Sequence, residues 1–485
     1  MSPFTLGLER TRHATSPRHA PPATPPRAVL IHAGVTLLWV LLFLRAFGAD
    51  TVFAWSIGVA YVAYDTALLL FVFVQTLPLI RRPAPSAPNA QNHPRTLGVI
   101  IAAHNEAAAL PQTLAALFAQ TAPPEQIIIA DDGSDDATTD LLVRHHGLRP
   151  PGLGDLSPIS PNNPNLQWLC LPRQGKARAL NAALEFIETE LVITVDADTI
   201  LDPNAVAAMR HAFTADPSLV SATGVLFPVC QATPGGRLLQ WFQTYEYMRN
   251  FLSRYAWARQ DGLLLISGAF AAYRRHPVLA VGGFDTDCLV EDYELSHRLL
   301  NHAAAHRLHW RTDVIGAARA RTDAPSTIGA FLHQRRRWFG GFLQTQLWYR
   351  HMIGAPNYGR LGTRMLPVKA FDTLQPLYGL TSIILLIGYV LTGRSTVVNP
   401  VAGIIGGKIA LDLAFYLWSI LLYRRWVGPR APINVGWAVL AALIEPFSFQ
   451  LLRHTGAALG WVTFLTGQHR WHPRKRNESS ANPDR

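Results

Sequence analysis

"LVITVDADT", residues 191–199, is a strand-like apolar run that ends in two aspartates, Asp196 and Asp198. Three similar runs precede it: "TLGVIIAA" at 96–103, "QIIIADD" at 126–132 and "LQWLCL" at 166–171. Helix-like stretches separate them at the spacing of βαβ units, which predicts an open α/β sheet between residue 96 and about 325. Polar residues follow the strand ends, where such sheets bind ligands. They are His104, Asn105 and Glu106, then Asp131 to Asp136 in "DDGSDD", and then "QGKARALN", which opens a helix with Lys176. An isolated Asp-x-Asp is most often a solvated turn. Placed after an apolar strand, Asp196 and Asp198 become candidates to hold a hard cation against a diphosphate.

The rest of the 485-residue chain is different in character. The formal charge is +11, yet only 15% of residues are charged and 49% are hydrophobic. Mean hydropathy is +0.13. Basic and apolar together point to a membrane protein whose positive charge faces an anionic leaflet. Nucleic acid is not an expected partner, because no helix or strand carries a basic stripe with interleaved aromatics. Cys170, Cys230 and Cys288 are far apart and lack metal-type spacing, so a disulfide framework is not expected and a reducing compartment fits.

A membrane-spanning helix needs about 20 mostly apolar residues. Residues 28–47 and 53–80 qualify, and the five-residue link "GADTV" makes them a hairpin. Arg10, Arg12, Arg18 and Arg27 precede this hairpin and Arg81 and Arg82 follow it, which puts both ends on the cytoplasmic side. The apolar run is too long for a cleaved leader. Further spans are predicted near 371–392 and 397–423. Residues 433–466, interrupted by Glu445-Pro446 and Arg453-His454, fit either a span plus an interfacial helix or a tight hairpin. Lys408 and Asp412, four apart inside one span, should pair or line a polar path.

Two other stretches carry candidate chemistry. "GGFDTDCLVEDYELSHRLL" (282–300) places Glu291 and Asp292 where a helix begins. N-terminal capping suits that position, and so does a general base aimed at a hydroxyl. "HQRRRWFGG" (333–341) sits in what reads as an amphipathic helix on the inner membrane face. Gln334, Arg337 and Trp338 share one face at i, i+3 and i+4, Arg336 points elsewhere, and Arg335 lies at the edge, toward lipid headgroups. By contrast, His302, His306 and His309 read as a helix running into a strand rather than as a zinc site.

The motifs "HNEA", "DDGSDD", "GKARALN", "DAD", "SGAF", "GGF…VEDYELSHRL" and "QRRRW", in this order, resemble the processive family 2 inverting glycosyltransferases, which include hyaluronan, chitin, cellulose and poly-N-acetylglucosamine synthases. The family's Thr-Glu-Asp is Val290-Glu291-Asp292 here, which keeps both acids. The resemblance implies an α/β GT-A (nucleotide-diphospho-sugar transferase) domain, cytosolic and inserted between transmembrane α-helices of a multi-pass inner-membrane protein. It implies a UDP-sugar donor, with Asp132 facing the uracil, Glu106 near the nucleoside and Lys176 by the diphosphate. Asp198, with Asp196 close, would ligate Mg²⁺ or Mn²⁺. Asp292, beside Glu291, would deprotonate the acceptor, and Gln334, Arg337 and Trp338 would serve acceptor and diphosphate.

The expected product is a growing β-linked polysaccharide, with N-acetylglucosamine the expected sugar and membrane lipids around the helices. A single transfer to a lipid acceptor is the alternative enzyme, and a non-catalytic membrane scaffold the alternative class. The expected division is a Pro- and Arg-rich N-terminus without order (1–27), two transmembrane helices (28–80), a linker (81–95) and the catalytic domain (96–323). Interfacial amphipathic helices (324–370), C-terminal transmembrane helices (371–466) and a basic cytosolic tail (467–485) follow.

Overall fold

The computed structural model describes residues 2–81, 95–428 and 433–467. The linker and the basic tail read from the sequence fall largely outside these residues. Eight strands form one sheet: β1 (Leu97–Ala103), β2 (Gln126–Asp132), β3 (Leu166–Leu171), β4 (Leu191–Asp196), β5 (Thr199–Leu201), β6 (Leu219–Val229), β7 (Phe270–Arg274) and β8 (Arg311–Asp323). Their order is β3-β2-β1-β4-β7-β6-β8-β5. The first four strands run parallel, with Val99 opposite both Ile127 and Ile193. β7 turns the sheet antiparallel at its pairing with β4, where Ile193 faces Ala272. The four runs predicted from sequence are β1 to β4. Nearly continuous apolar character suits them, because β1, β2 and β4 are buried along almost their whole length, with α6 packed on β1 and β2.

The helices are α1 (Pro3–Thr15), α2 (Pro26–Gly48), α3 (Ser56–Thr76), α4 (Leu110–Phe118), α5 (Thr138–His146), α6 (Lys176–Phe186), α7 (Ala205–Ala215) and α8 (Pro234–Ala258). They continue with α9 (Arg275–Ala280), α10 (Glu291–Ala305), α11 (Ile328–Trp348), α12 (Leu366–Leu391), α13 (Ser395–Val427), α14 (Val435–Ile444) and α15 (Phe449–Leu465).

Among the described residues, four segments are long and apolar enough to cross a membrane: Pro26–Gly48, Thr51–Ile80, Leu361–Leu391 and Ser395–Val427. Their outer faces expose large apolar side chains such as Leu30, Phe47, Ile384 and Leu391, a surface suited to lipid rather than water. Val435–Phe447 and Phe449–Leu465 form a pair bent by 50° at Ser448, just after the Glu445-Pro446 turn. With these helices the chain is a membrane protein.

The N-terminus departs from expectation. Residues read as lacking order contain α1, capped by the Ser2 hydroxyl accepting from Thr5 N–H at 3.2 Å. Pro3 occupies its first turn, where a missing N–H costs nothing. Leu8 and Arg12 are buried, so tertiary contacts outweigh the weak local signal.

Candidate active site

The C-terminal ends of β1, β2 and β4 open onto one cavity of about 2030 Å³. One end of it is shaped by the turn after β2. Gly133 adopts a φ of +67°, and a Cβ there would stand 2.8 Å from the Arg173 backbone nitrogen. That close approach lets the Asp132 carboxylate accept from Gln174 N–H at 2.7 Å and Gly175 N–H at 2.8 Å, fixing the loop that leads into α6. Burial pushes the Asp132 carboxyl up, against these two bonds. His104 and Asp132 line the cavity, as do Arg173 to Arg178. Glu106 is not among the lining residues. Its backbone N–H donates to Thr138, tying the β1 turn to α5 instead.

Lys176 opens α6 and stands among carboxylates. Its Nζ is 2.5 Å from Asp196 Oδ1 and 3.5 Å from Glu291 Oε1. Burial alone would lower its pKa, but Asp196 and Glu291 outweigh that and raise it, so the amine stays charged. Asp198 lies in the turn between β4 and β5, with the Thr199 and Thr322 hydroxyls each 3.4 Å from Oδ1. Burial first, then Asp196 and Asp323, push its carboxyl up to about 7.

Asp292 sits in the first turn of α10 without capping that helix in the usual way: its Oδ2 accepts from Gly268 N–H at 2.6 Å, and its Oδ1 accepts from its own neighbour, Tyr293, at 2.7 Å. Burial and the adjacent Glu291 push the Asp292 carboxyl up to about 6, with Lys176 and the two backbone bonds opposing. A carboxyl in that range exchanges a proton near neutral pH.

α11 is packed on two sides. Gly341 approaches Val290 so closely that a Cβ would meet its Cγ2 at 2.5 Å, and α15 packs along the other side. Gln334, Arg337 and Trp338 line the cavity, and Arg337 Nη1 donates to Leu289 O at 2.9 Å, just ahead of the acid pair. Arg336 donates to the Thr463 hydroxyl of α15. Arg335, expected to face lipid headgroups, instead lies 2.7 Å from the buried Glu246 of α8 and 4.5 Å from the Trp338 ring. Packing against α8 explains this, because the buried Glu246 draws in cations, Arg335 at Oε2 and Arg453 at Oε1, 3.1 Å away.

Two residues escaped the sequence reading. Arg254 of α8 lines the cavity, with Nε and Nη1 buried and unpartnered among the described residues. Burial lowers its pKa to about 10, with Asp292 opposing. Nothing in the local sequence marks it. Asp65 of α3 was hidden in an apolar run, yet its Oδ2 is 2.7 Å from Lys408 Nζ. Lys408 also bonds Asp412, and all three line the same cavity where it passes between the membrane helices. His302 and His306 stack on each other, and among the described residues no three His, Cys, Asp or Glu side chains converge closely enough to enclose a metal alone.

The glycosyl transferase family 2 model matches residues 98–282, and the glycosyl transferase family group 2 model matches 191–424. Poly-beta-1,6-N-acetyl-D-glucosamine synthase of Staphylococcus aureus is 29% identical over 244 residues, covering 50% of this chain and 53% of that protein. The Staphylococcus epidermidis protein of the same name is 26% identical over 247 residues, covering 50% and 54%. The chain therefore spans about half the length of these curated relatives. Among solved structures, a mannosyltransferase of Pyrobaculum calidifontis in complex with GDP-Man and Mn²⁺ superposes with a TM-score of 0.53 at 20% identity, over 81% of this chain and 99% of that one. That likeness shows the GT-A fold alone; the two family models, which together match residues 98–424, place the chain among the family 2 glycosyltransferases.

Proposed function

We propose that the protein is a processive inverting glycosyltransferase of the inner membrane, extending a β-linked polysaccharide from a UDP-sugar, with N-acetylglucosamine the favoured sugar and the catalytic domain cytoplasmic. One observation carries the reading: a single cavity joins Asp132, Lys176, Asp198 and Asp292 to Lys408 and Asp65 between the membrane helices. A site that released each product to the cytosol would have no use for that continuity. The staphylococcal relatives support the choice of sugar.

In this reading the acceptor hydroxyl bonds to the anomeric carbon as the bond to the UDP oxygen breaks, and its proton passes to Asp292. The Gly268 N–H holds the carboxylate in place, and the alignment inverts an α-linked donor to a β-linked product. Lys176 remains charged beside Glu291 and faces the departing diphosphate. Asp132 keeps the base end of the pocket in shape, and Glu106 acts through the β1 turn. Arg337, Gln334 and Trp338 line the acceptor side, where Gln334 Oε1 is buried without a partner among the described residues and Arg254 presents two further unmet donors.

A divalent cation, Mg²⁺ or Mn²⁺, fits at Asp198, with Asp196 second. A carboxyl that burial and neighbouring acids drive toward neutrality is stabilised as the anion by a cation. Since no three side chains enclose the ion, phosphate oxygens and water would complete its shell, as is common for Mg²⁺. When bound, it supplies charge neutralisation for the leaving diphosphate.

Purified protein supplied with a panel of UDP-sugars should release UDP and form long polymer with one of them. A one-sugar product on extracted lipid would turn the reading to the lipid-acceptor alternative, and no UDP release with any sugar would turn it to the scaffold.

A further inference from the structure

Residues 2–18 lie outside the segments matched by either family model, yet they touch three of the elements that carry the site. On α6, which begins with Lys176, the Glu185 carboxylate accepts from the Ser2 hydroxyl at 2.5 Å. On the loop that ends in Glu291 and Asp292, Arg12 Nη1 donates to Phe284 O at 3.1 Å and the Thr15 hydroxyl donates to Val281 O at 2.9 Å. Arg18 then forks: Nη1 lies 3.1 Å from Asp285 Oδ1 and Nη2 lies 3.0 Å from Asp287 Oδ2. Its guanidinium also stands 5.1 Å from the ring of Trp348, at the end of α11.

The same loop is pinned from other sides too, near its end by Arg337 of α11, which donates to Leu289 O at 2.9 Å, and near its start by α6 and α10. Asn181 of α6 brackets Phe284, donating to its carbonyl at 2.8 Å and accepting from its N–H at 2.7 Å. Arg298 of α10, paired with the fully buried Glu294, donates to Val281 O and Gly283 O, each at 2.7 Å. Those bonds hold residues 281–284. Beyond Phe284 the clamp on Asp285 and Asp287 comes from Arg18, and Asp285 is only 1% exposed. A carboxylate that buried is costly to leave without its cation.

We propose that the N-terminal segment is a strap that sets the position of Asp292, with Arg18 as its positioning residue through Asp285 and Asp287. The strap couples the segment ahead of the first membrane helix to the aim of the base. This rests on Asp292 acting as the base.

The test is steady-state kinetics on the full-length protein in detergent, with UDP-N-acetylglucosamine as donor. Arg18→Gln strands Asp285, the loop shifts, and kcat should fall by about tenfold, since misplacement on the order of 1 Å costs up to about 10²-fold. Donor KM should stay within about twofold of the parent, because Asp132 and Lys176 are held by other contacts. Arg18→Gln combined with Asp285→Asn removes the stranded charge and should recover most of the lost kcat. Parent-level kcat in Arg18→Gln, or a double variant as slow as the single, would overturn the strap. If Arg18→Gln does not accumulate as folded protein, Asp287→Asn carries the test, removing only the outer half of the fork. A loss of kcat at constant KM supports the proposal there, and parent-level kcat overturns it. Full turnover in Asp292→Asn would instead remove the assignment of the base.

Discussion

The backbone N–H of Gly268 points at Asp292 Oδ2 from 2.6 Å, and an added Cβ at residue 268 would stand 3.0 Å from that same oxygen. The carboxylate is thus held by a residue on which even a methyl group would press against it. Gly268→Ala should push the carboxylate aside and lower transfer by about tenfold, given the steep cost of misaimed catalytic groups. UDP binding, measured by calorimetry, should persist. Transfer at the parent rate would show that the aim of Asp292 does not matter.

Asp292→Asn keeps the shape and removes proton acceptance. Loss of a general base is worth about 10²–10⁴-fold, so transfer should collapse while UDP still binds. The pH profile carries the sign. Burial and Glu291 raise this carboxyl to about 6, so the ionised base is present above that pH and lost below it. The acid limb of kcat/KM should bend near pH 6, and a limb bending near 4 would contradict the geometry.

Chelation should stop turnover. With EDTA, UDP release is expected to fall to background and return on adding Mg²⁺ or Mn²⁺. Asp198→Asn should demand much more metal for the same rate, because the carboxylate best placed for the cation is gone. Unchanged activity after exhaustive chelation would exclude the cation.

The arginines of "QRRRW" are not equivalent. Arg337 lines the cavity and bonds Leu289 O, whereas Arg336 bonds Thr463 on α15. Arg337→Lys keeps the charge and loses the planar fork, so it should impair polymer synthesis sharply, with Arg336→Lys mild. Equal activity in the two variants would reduce the motif to a basic flank.

Lys408 serves two acids, Asp65 on α3 and Asp412 on its own helix. The three are only partly buried, so losing Lys408 costs less than the about 3–5 kcal/mol of a fully buried pair, and Lys408→Ala should lower, without abolishing, the yield of folded protein in detergent. Exchanging Lys408 and Asp412 should not rescue it, because residue 408 would then set an aspartate against Asp65. Adding Asp65→Asn to the exchange should. Full recovery from the exchange alone would mean that Asp65 takes no part.

Local chemistry in the sequence was enough for β1 to β4 and for the acids at their ends. Strand propensity acts over a few residues, and a carboxylate after an apolar strand lands at the ligand-binding edge wherever the strand sits. The membrane helices were legible for a similar reason, since length and apolarity alone decide whether a segment can cross. The face shared by Gln334, Arg337 and Trp338 followed from helical periodicity.

Contacts between distant segments decided everything else. The helix at Pro3–Thr15 has little local signal and forms against α6 and the loop at 281–285. Arg335 turned inward because α8 brings Glu246 to it, 89 residues away in sequence. Asp65 met Lys408, and Arg254 met the cavity beside Asp292, by the packing of helices that are far apart along the chain. A buried charge has to find its partner or its ligand, and which one lies within reach is a property of three-dimensional packing that no short window of sequence contains.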